Sequence, residues 1–393
     1  METLRIAQVA PYLHPHVGGV ESHVEGVASE LARRGHEVEV LTSRLDGTAP
    51  SEERDGYLIT RVPTSRILFS TPITPRLGEH LAAAPRDLVH AHSPPPLSSW
   101  YAARWARASN TPFALTYHCD LEIPRVGGGA IVETYRRTMG RAAVGAADAI
   151  IATTRTYAET SRSLWHRTDV EVVPNMVDTE RFRPDAPATL DVRRRHRLGA
   201  GPIALFVGRL THHKGVEEFL RAAEHTAPVV HLVVGDGPRR EALEGMARDL
   251  PAGRVVFAGK VDARHLPSYY RAAAVGVLPS TSRLEAFGIA ALECMASGRP
   301  VVVSDIPGVS EVLEPGVSGL VAEPLDARDL AEKIRRLALD EELAASMGKA
   351  ARERVLKHFT LPRVADRLVE IYQRISRGGG HSKSGTVEAD DRA

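Results

Sequence analysis

The sequence predicts an α/β protein of two doubly wound, Rossmann-like domains facing one another across a cleft, and three observations carry that prediction. The chain opens with β-loop-α-β grammar, the same grammar restarts in its second half, and nearly every strand candidate is apolar along its whole length. Strands apolar on both faces belong to parallel sheets covered on both sides. A chain of 393 residues fits two or three domains at roughly 150 residues each.

In the first half, Leu4–Ala10 is an apolar run, followed by a Pro- and Gly-bearing loop over Pro11–Glu21. Apolar spacing then predicts a helix over Ser22–Arg34, with Gly35 as its stop and Val38–Leu41 as the next strand. Leu88–Ala91, Phe113–Thr116 and Ala149–Ala152 add strands to this domain, which we assign to 1–182. Arg183–Pro202 is rich in Pro, Asp and Arg without an apolar period, and 183–202 is assigned as a linker. The second domain, 203–360, starts with strand Ile203–Val207, helix Val216–His225 and strand Val229–Val234. It continues through strands Val255–Ala258, Val275–Leu278 and Val301–Ser304. A last helical pattern, Val364–Ile375, follows the point where that domain is complete. The remaining stretch, 378–393, has almost no apolar content and is predicted to be disordered.

Composition narrows the function classes. With 50 basic and 49 acidic residues there is no global field to recruit nucleic acid, so any phosphate affinity must be local. Cys119 and Cys294 form no metal spacing and read as packed thiols of a reduced, cytoplasmic protein. Met1–Arg5 runs into the first strand with neither a cationic leader nor a long apolar span, so neither export nor membrane crossing is expected. The helical pattern Ile131–Val144 carries Arg136, Arg137 and Arg141. A solvated face is the plain reading and peripheral contact with the inner face of a membrane the alternative.

The chemistry concentrates where strands end. Doubly wound domains place ligands at the carboxyl ends of their strands. Gly18-Gly19 follows the first strand, permits positive φ and lets a ligand approach the backbone closely, although a lone Gly-Gly is structural more often than functional. Arg209 and Lys214 follow strand Ile203–Val207; a guanidinium fork with an ammonium point charge suits a diphosphate, and two solvated cations are the bland reading. Glu285 and Glu293 are spaced E-x7-E around a predicted helix start, where the amides of Phe287, Gly288 and Ile289 would bind phosphate. Glu285 lies in the loop Ser280–Phe287, free to face the cleft. Glu293 borders the apolar stripe Ile289, Leu292 and Ala296, so its carboxylate needs donors, either ribose hydroxyls or a neighbouring basic side chain. His118 ends strand Phe113–Thr116 in the opposite domain; His90 and His92 end another, and no third ligand at metal spacing joins them.

Taken in order, these residues resemble the retaining nucleotide-sugar glycosyltransferases of family 4, which have the GT-B architecture. The resemblance spans nearly the whole chain and rests on Gly18-Gly19-Val20-Glu21, His118, Val173-Pro174-Asn175-Met176-Val177-Asp178, Gly208-Arg209-Leu210 with Lys214-Gly215, Gly235-Asp236-Gly237-Pro238 and the Glu285/Glu293 pair. It implies transfer of a hexosyl group from a nucleoside diphosphate sugar, with retention, to an acceptor hydroxyl on a small or lipid-linked molecule. A UDP-hexose is favoured, with GDP-mannose as the other candidate. The donor is a co-substrate, and no resident cofactor or divalent metal is implied. Arg209 and Lys214, helped by amides of Gly19, Phe287, Gly288 and Ile289, would neutralise the departing diphosphate. Glu285 would bind donor-sugar hydroxyls, His118 would contact that sugar from the first domain, Glu293 would hold the ribose, and the base would pack near Gly259, Lys260 and Val261. The helix at 361–377 would cross back onto the first, acceptor-side domain. Met176 departs from the glycine common at its place, and a methionine does not take positive φ cheaply, so either the local turn or a nearby acceptor contact is expected to differ, and its role is left unassigned. A nucleotide-sugar epimerase, a silent nucleotide-sugar binder and a polymer-extending synthase are the competing readings.

Overall fold

The structure, a computed structural model, describes residues 2–16, 18–123, 127–164 and 166–378. Of the predicted tail, 379–393 lies outside the described residues. Two parallel sheets form, each wrapped by helices. The first contains β1 (Arg5–Val9), β2 (Glu37–Ser43), β3 (Ser51–Arg54) and β4 (Tyr57–Val62). A small ribbon, β5 (Arg66–Leu68) with β6 (Thr71–Ile73), stands apart, before β7 (Leu88–Ser93), β8 (Phe113–Tyr117), β9 (Ala149–Ala152) and β10 (Val170–Val172) rejoin the large sheet. Its order is β10-β9-β8-β7-β1-β2-β4-β3, parallel except where β3 pairs antiparallel with β4. The second sheet contains β11 (Ile203–Val207), β12 (Val230–Val234), β13 (Val255–Gly259), β14 (Val275–Leu278), β15 (Val301–Ser304) and β16 (Gly319–Ala322), in the order β13-β12-β11-β14-β15-β16.

Both orders reverse direction at the centre. Strand β1 lies between β2 and β7, with Ile6 opposite Leu88, and β11 lies between β12 and β14, with Ala204 opposite Val275. At such a switch, helices leave toward opposite faces and open a crevice beyond the strand ends. The candidate residues that follow β1 and β11 therefore sit at two crevices. Apolar side chains on both faces of each sheet meet the helices: Ile6 and Val40 pack under the helix Gly19–Arg33, and Ala7, Val9 and Leu115 pack on the other face.

Residues 183–202, read as a linker, are packed rather than free. Asp191 caps a short helix, Val192–His196, by accepting from the Arg194 amide at 3.0 Å, and Phe182 and Val192 are buried in the second domain's core. Arg352 fixes the approach to this segment by donating to the carbonyls of Thr179, Phe182 and Ala296 at 2.8–3.1 Å. Isolated apolar residues in a polar stretch carry no period, so sequence patterning passes over them.

The two connections between domains touch one another: Val177 pairs with Thr360 as a parallel bridge, and the Val177 amide donates to the Phe359 carbonyl at 3.0 Å. The helix Leu361–Arg377 then lies against the helix Gly19–Arg33, burying Val364, Leu368 and Tyr372 among Val24, Val27 and Leu31. Met176 is not among the residues with positive φ; its methyl reaches over Gly26, where an added Cβ would meet it at 2.5 Å. The side chain is thus a packing contact between the crossing and the first domain's lead helix.

Candidate functional site

The site begins with a close approach between two loops. Gly215 has φ +64°, and a Cβ there would fall 1.8 Å from the Pro279 carbonyl oxygen, so only glycine lets the turn after β11 lie against the end of β14. The Thr281 amide donates to the His213 carbonyl at 2.9 Å and closes the seam. Consequently Lys214 and Glu285 form an ion pair, with side chains 19% and 11% exposed, and the Ser280 hydroxyl lies 3.5 Å from the same carboxylate oxygen. The sequence left Glu285 free to face the cleft; the structure ties it to Lys214.

Beyond this pair the helix Ile289–Ala296 starts from Gly288, whose φ of +88° suits glycine. The amides of Phe287, Gly288 and Ile289 donate no hydrogen bond among the described residues. Unpaired amides at a helix start favour an anion. Arg209 is exposed after β11 and has no ion-pair partner among the described residues. Its guanidinium and these amides are therefore available to a ligand.

The first domain meets this site closely. Gly18 is extended at φ −169° and Gly19 is not among the positive-φ residues, so the expected dihedral freedom is not what the pair supplies. The requirement at Gly19 is space, since a Cβ would meet Ile289 Cδ1 across the cleft at 2.9 Å. His118 is buried at the end of β8, with Nε2 3.0 Å from His92 Nδ1, and burial, then the charges of His23 and His90, hold its pKa well below the ordinary value. It is a neutral hydrogen-bonding group. His90 is fixed between the Tyr372 hydroxyl at 2.6 Å and Thr116 Oγ1 at 2.7 Å. Among the described residues no three His, Cys, Asp or Glu side chains are placed to hold a metal ion.

Glu293 is half-buried, and the Tyr270 hydroxyl donates to it at 2.6 Å. Burial pushes its carboxyl above the ordinary range, while Tyr270 and the nearby Arg181 act against that shift. The sequence anticipated ribose or a basic side chain as the donor, and gave no sign of a tyrosine. Lys260 is exposed just after β13, and half-buried Val261 packs on the second core.

Residues 191–354 match the glycosyl transferases group 1 family, and residues 17–181 match glycosyltransferase family 4. A GDP-mannose-dependent alpha-(1-6)-phosphatidylinositol monomannoside mannosyltransferase of Mycolicibacterium smegmatis is 30% identical over 91% of this chain and 95% of its own. The chain belongs to glycosyltransferase family 4. A D-inositol 3-phosphate glycosyltransferase of Acidothermus cellulolyticus is 31% identical to this glycosyltransferase, over 88% of this chain and 85% of the relative. The solved sucrose-phosphate synthase of Thermosynechococcus elongatus superposes with a TM-score of 0.79 at 25% identity, covering 95% of this chain and 99% of that one. The architecture is GT-B, and the activity is glycosyl transfer from a nucleotide sugar.

Within this family 4 glycosyltransferase, Lys214, Glu285 and the helix start at Ile289 converge, and Gly19 joins them from the other domain. His118 belongs to the same region, because Arg283, two positions before Glu285, pairs with Asp120, two positions after His118, at 3.2 Å. Sequence reasoning missed Arg283, which reaches across to Asp120, Thr160 and the Tyr157 ring. It also missed Glu311, whose carboxylate accepts from the Arg155 and Thr156 amides at 3.1 and 3.0 Å. Arg283 stands two positions before Glu285, and that adjacency was the one available signal.

Proposed function

We propose that the chain moves a mannosyl group from GDP-mannose to a hydroxyl of a small or lipid-linked acceptor, with retention at the anomeric carbon. The observation that carries the site is the Lys214–Glu285 pair beside the unpaired amides of Phe287, Gly288 and Ile289. Lys214 and Arg209 supply positive charge to the diphosphate as it leaves, and the helix-start amides and Gly19 amide add donors where charge develops. Glu285 then exchanges Lys214 for donor-sugar hydroxyls, His118 contacts that sugar as a neutral group, and Glu293 binds the ribose. The base packs at Gly259, Lys260 and Val261. GDP-mannose replaces the sequence-based preference for a UDP-hexose because the mycobacterial relative, similar over nearly its full length, is named for that donor.

Glu285 orients the sugar rather than attacking it. Its carboxylate is engaged by Lys214 and approached by Ser280 before the donor binds and by sugar hydroxyls afterwards, which lowers its nucleophilicity, and the departing phosphate accepts the acceptor's proton in a front-face displacement. Because Lys214 and Arg209 neutralise the diphosphate, nucleotide binding is expected to persist in EDTA. The free thiols Cys119 and Cys294 suit a reducing, cytoplasmic setting. A thermal-shift panel of UDP, GDP, ADP and TDP in EDTA tests the donor, since a ligand of the native state raises Tm with concentration over Kd. GDP is expected to give the largest shift; a larger shift with UDP restores the UDP-hexose. NMR of the first-formed product reads the anomeric configuration, and an inverted product would overturn retention.

A further inference from the structure

A cavity of about 360 Å³ lies where the domains join, and it shares with the proposed donor site only Phe287. Its walls come from three sources: Thr153 and Pro174 from the first domain, Arg354 and Lys357 from the second, and Arg363 from the crossing helix.

The charge in this cavity is not cancelled. Arg354 donates to the Val312 carbonyl at 2.7 Å and the Glu311 carbonyl at 3.1 Å, which fixes the guanidinium without neutralising it. Lys357 and Arg363 make no hydrogen bond or ion pair among the described residues. His358 sits among them, and its pKa is lowered by burial and then by the charges of Arg354, Lys357 and Arg363. Arg367, also in the wall, is occupied by Glu171 at 2.6 Å and Glu370 at 2.8 Å. The one lining acid, Glu311, turns its carboxylate to the Arg155 and Thr156 amides. A solvated cationic face would explain the exposed Lys357 and Arg363, but not the half-buried Arg354, whose guanidinium is held in place beside them.

We propose that this cavity binds a phosphomonoester, with Arg354, Lys357 and Arg363 meeting the dianion. The volume lies near the lower end of the roughly 300–1,000 Å³ typical of small-molecule sites, which suits a phosphate group with a short polar body. Because both domains supply walls, such a ligand is linked to the angle between them. The phosphate could come from a soluble metabolite or a lipid headgroup, and the two are separable.

Isothermal titration of the full chain with inorganic phosphate and with glycerol 3-phosphate, at fixed ionic strength and with the donor site held by saturating GDP or UDP, tests the site. We expect one further equivalent to bind and the Lys357→Ala/Arg363→Ala variant to weaken it at least tenfold. Both residues are on the surface, so the variant should keep its fold, checked by circular dichroism. No binding beyond the nucleotide, or equal affinity in the variant, would overturn the proposal. Sedimentation with phosphatidylcholine vesicles containing phosphatidic acid, if lost in the same variant, assigns the headgroup as the source; titration by glycerol 3-phosphate alone assigns a soluble one.

Discussion

Arg283 forms an ion pair with Asp120 at 3.2 Å, joining the loop that carries Glu285 to the segment that carries His118. The same guanidinium donates to the Thr160 carbonyl at 2.6 Å and lies 4.8 Å from the centre of the Tyr157 ring. Asp120 is held in place by Ser161 at 2.7 Å and by the Tyr117 hydroxyl at 3.1 Å. One side chain of the second domain thus reads a prepared acceptor on the first. The Glu285 loop and the His118 segment are brought together by this contact.

Arg283→Ala should therefore lower kcat/KM by about 10- to 100-fold, the equivalent of roughly 1.4–2.8 kcal/mol, with little loss of Tm. Asp120→Asn should behave alike, and the double variant should cost little more than either alone, because both remove one interaction. Steady-state kinetics on the cycle checks this; additive losses would count against a shared contact.

Lys214→Ala removes the charge proposed to face the diphosphate and should lower kcat by about 10²- to 10³-fold, the scale seen when a stabiliser of developing charge is removed. It also leaves the Glu285 carboxylate half-enclosed without its partner, at a stability cost on the order of 1–3 kcal/mol. Comparing turnover with urea midpoints separates the two effects; a folded variant with unchanged kcat would refute the assignment.

Gly19→Val should raise the donor KM at least tenfold, since its side chain would strike Ile289 across the cleft. Adding Ile289→Ala to that variant should recover part of the loss, a coupling that only a direct steric contact produces. Absence of any recovery would mean that Gly19 matters for its own backbone and not for the approach.

Acid should destabilise the protein below pH 6.5. Burial lowers the His23 pKa to about 4 and those of His90 and His231 to about 3. Each contributes stability in full above its unfolded value near 6.5 and loses it as pH falls toward the folded value, because the unfolded chain binds more protons in that window. The slope is on the order of 1 kcal/mol per pH unit per histidine. Tm measured from pH 7.5 to 5 should fall, and less steeply in His90→Gln; equal slopes would show that His90 is not neutral in the fold.

Much of this architecture is legible in the chain because the central strands are written as unbroken apolar runs: Ile203–Val207 and Ala149–Ala152 fold over the residues expected of them. Edge elements are not. β3 reads Ser-Glu-Glu-Arg and pairs only with β4, and β10 reads Val-Glu-Val at the other margin, so each pairs along one edge only and carries charged residues that break an apolar run. At the site, Lys214 and Glu285 could be named from their places after strands, yet their pairing depends on Gly215 tolerating the Pro279 carbonyl. Asp120 and Tyr270 carry no local signature, since each acts through a partner distant in sequence.

The paired crossings at Val177 and Thr360 act as the spine of a book. Two strands of chain that run side by side allow the covers to swing but not to slide or part. Displacement grows with distance from the spine, so a small turn there becomes a large gap at the far edge.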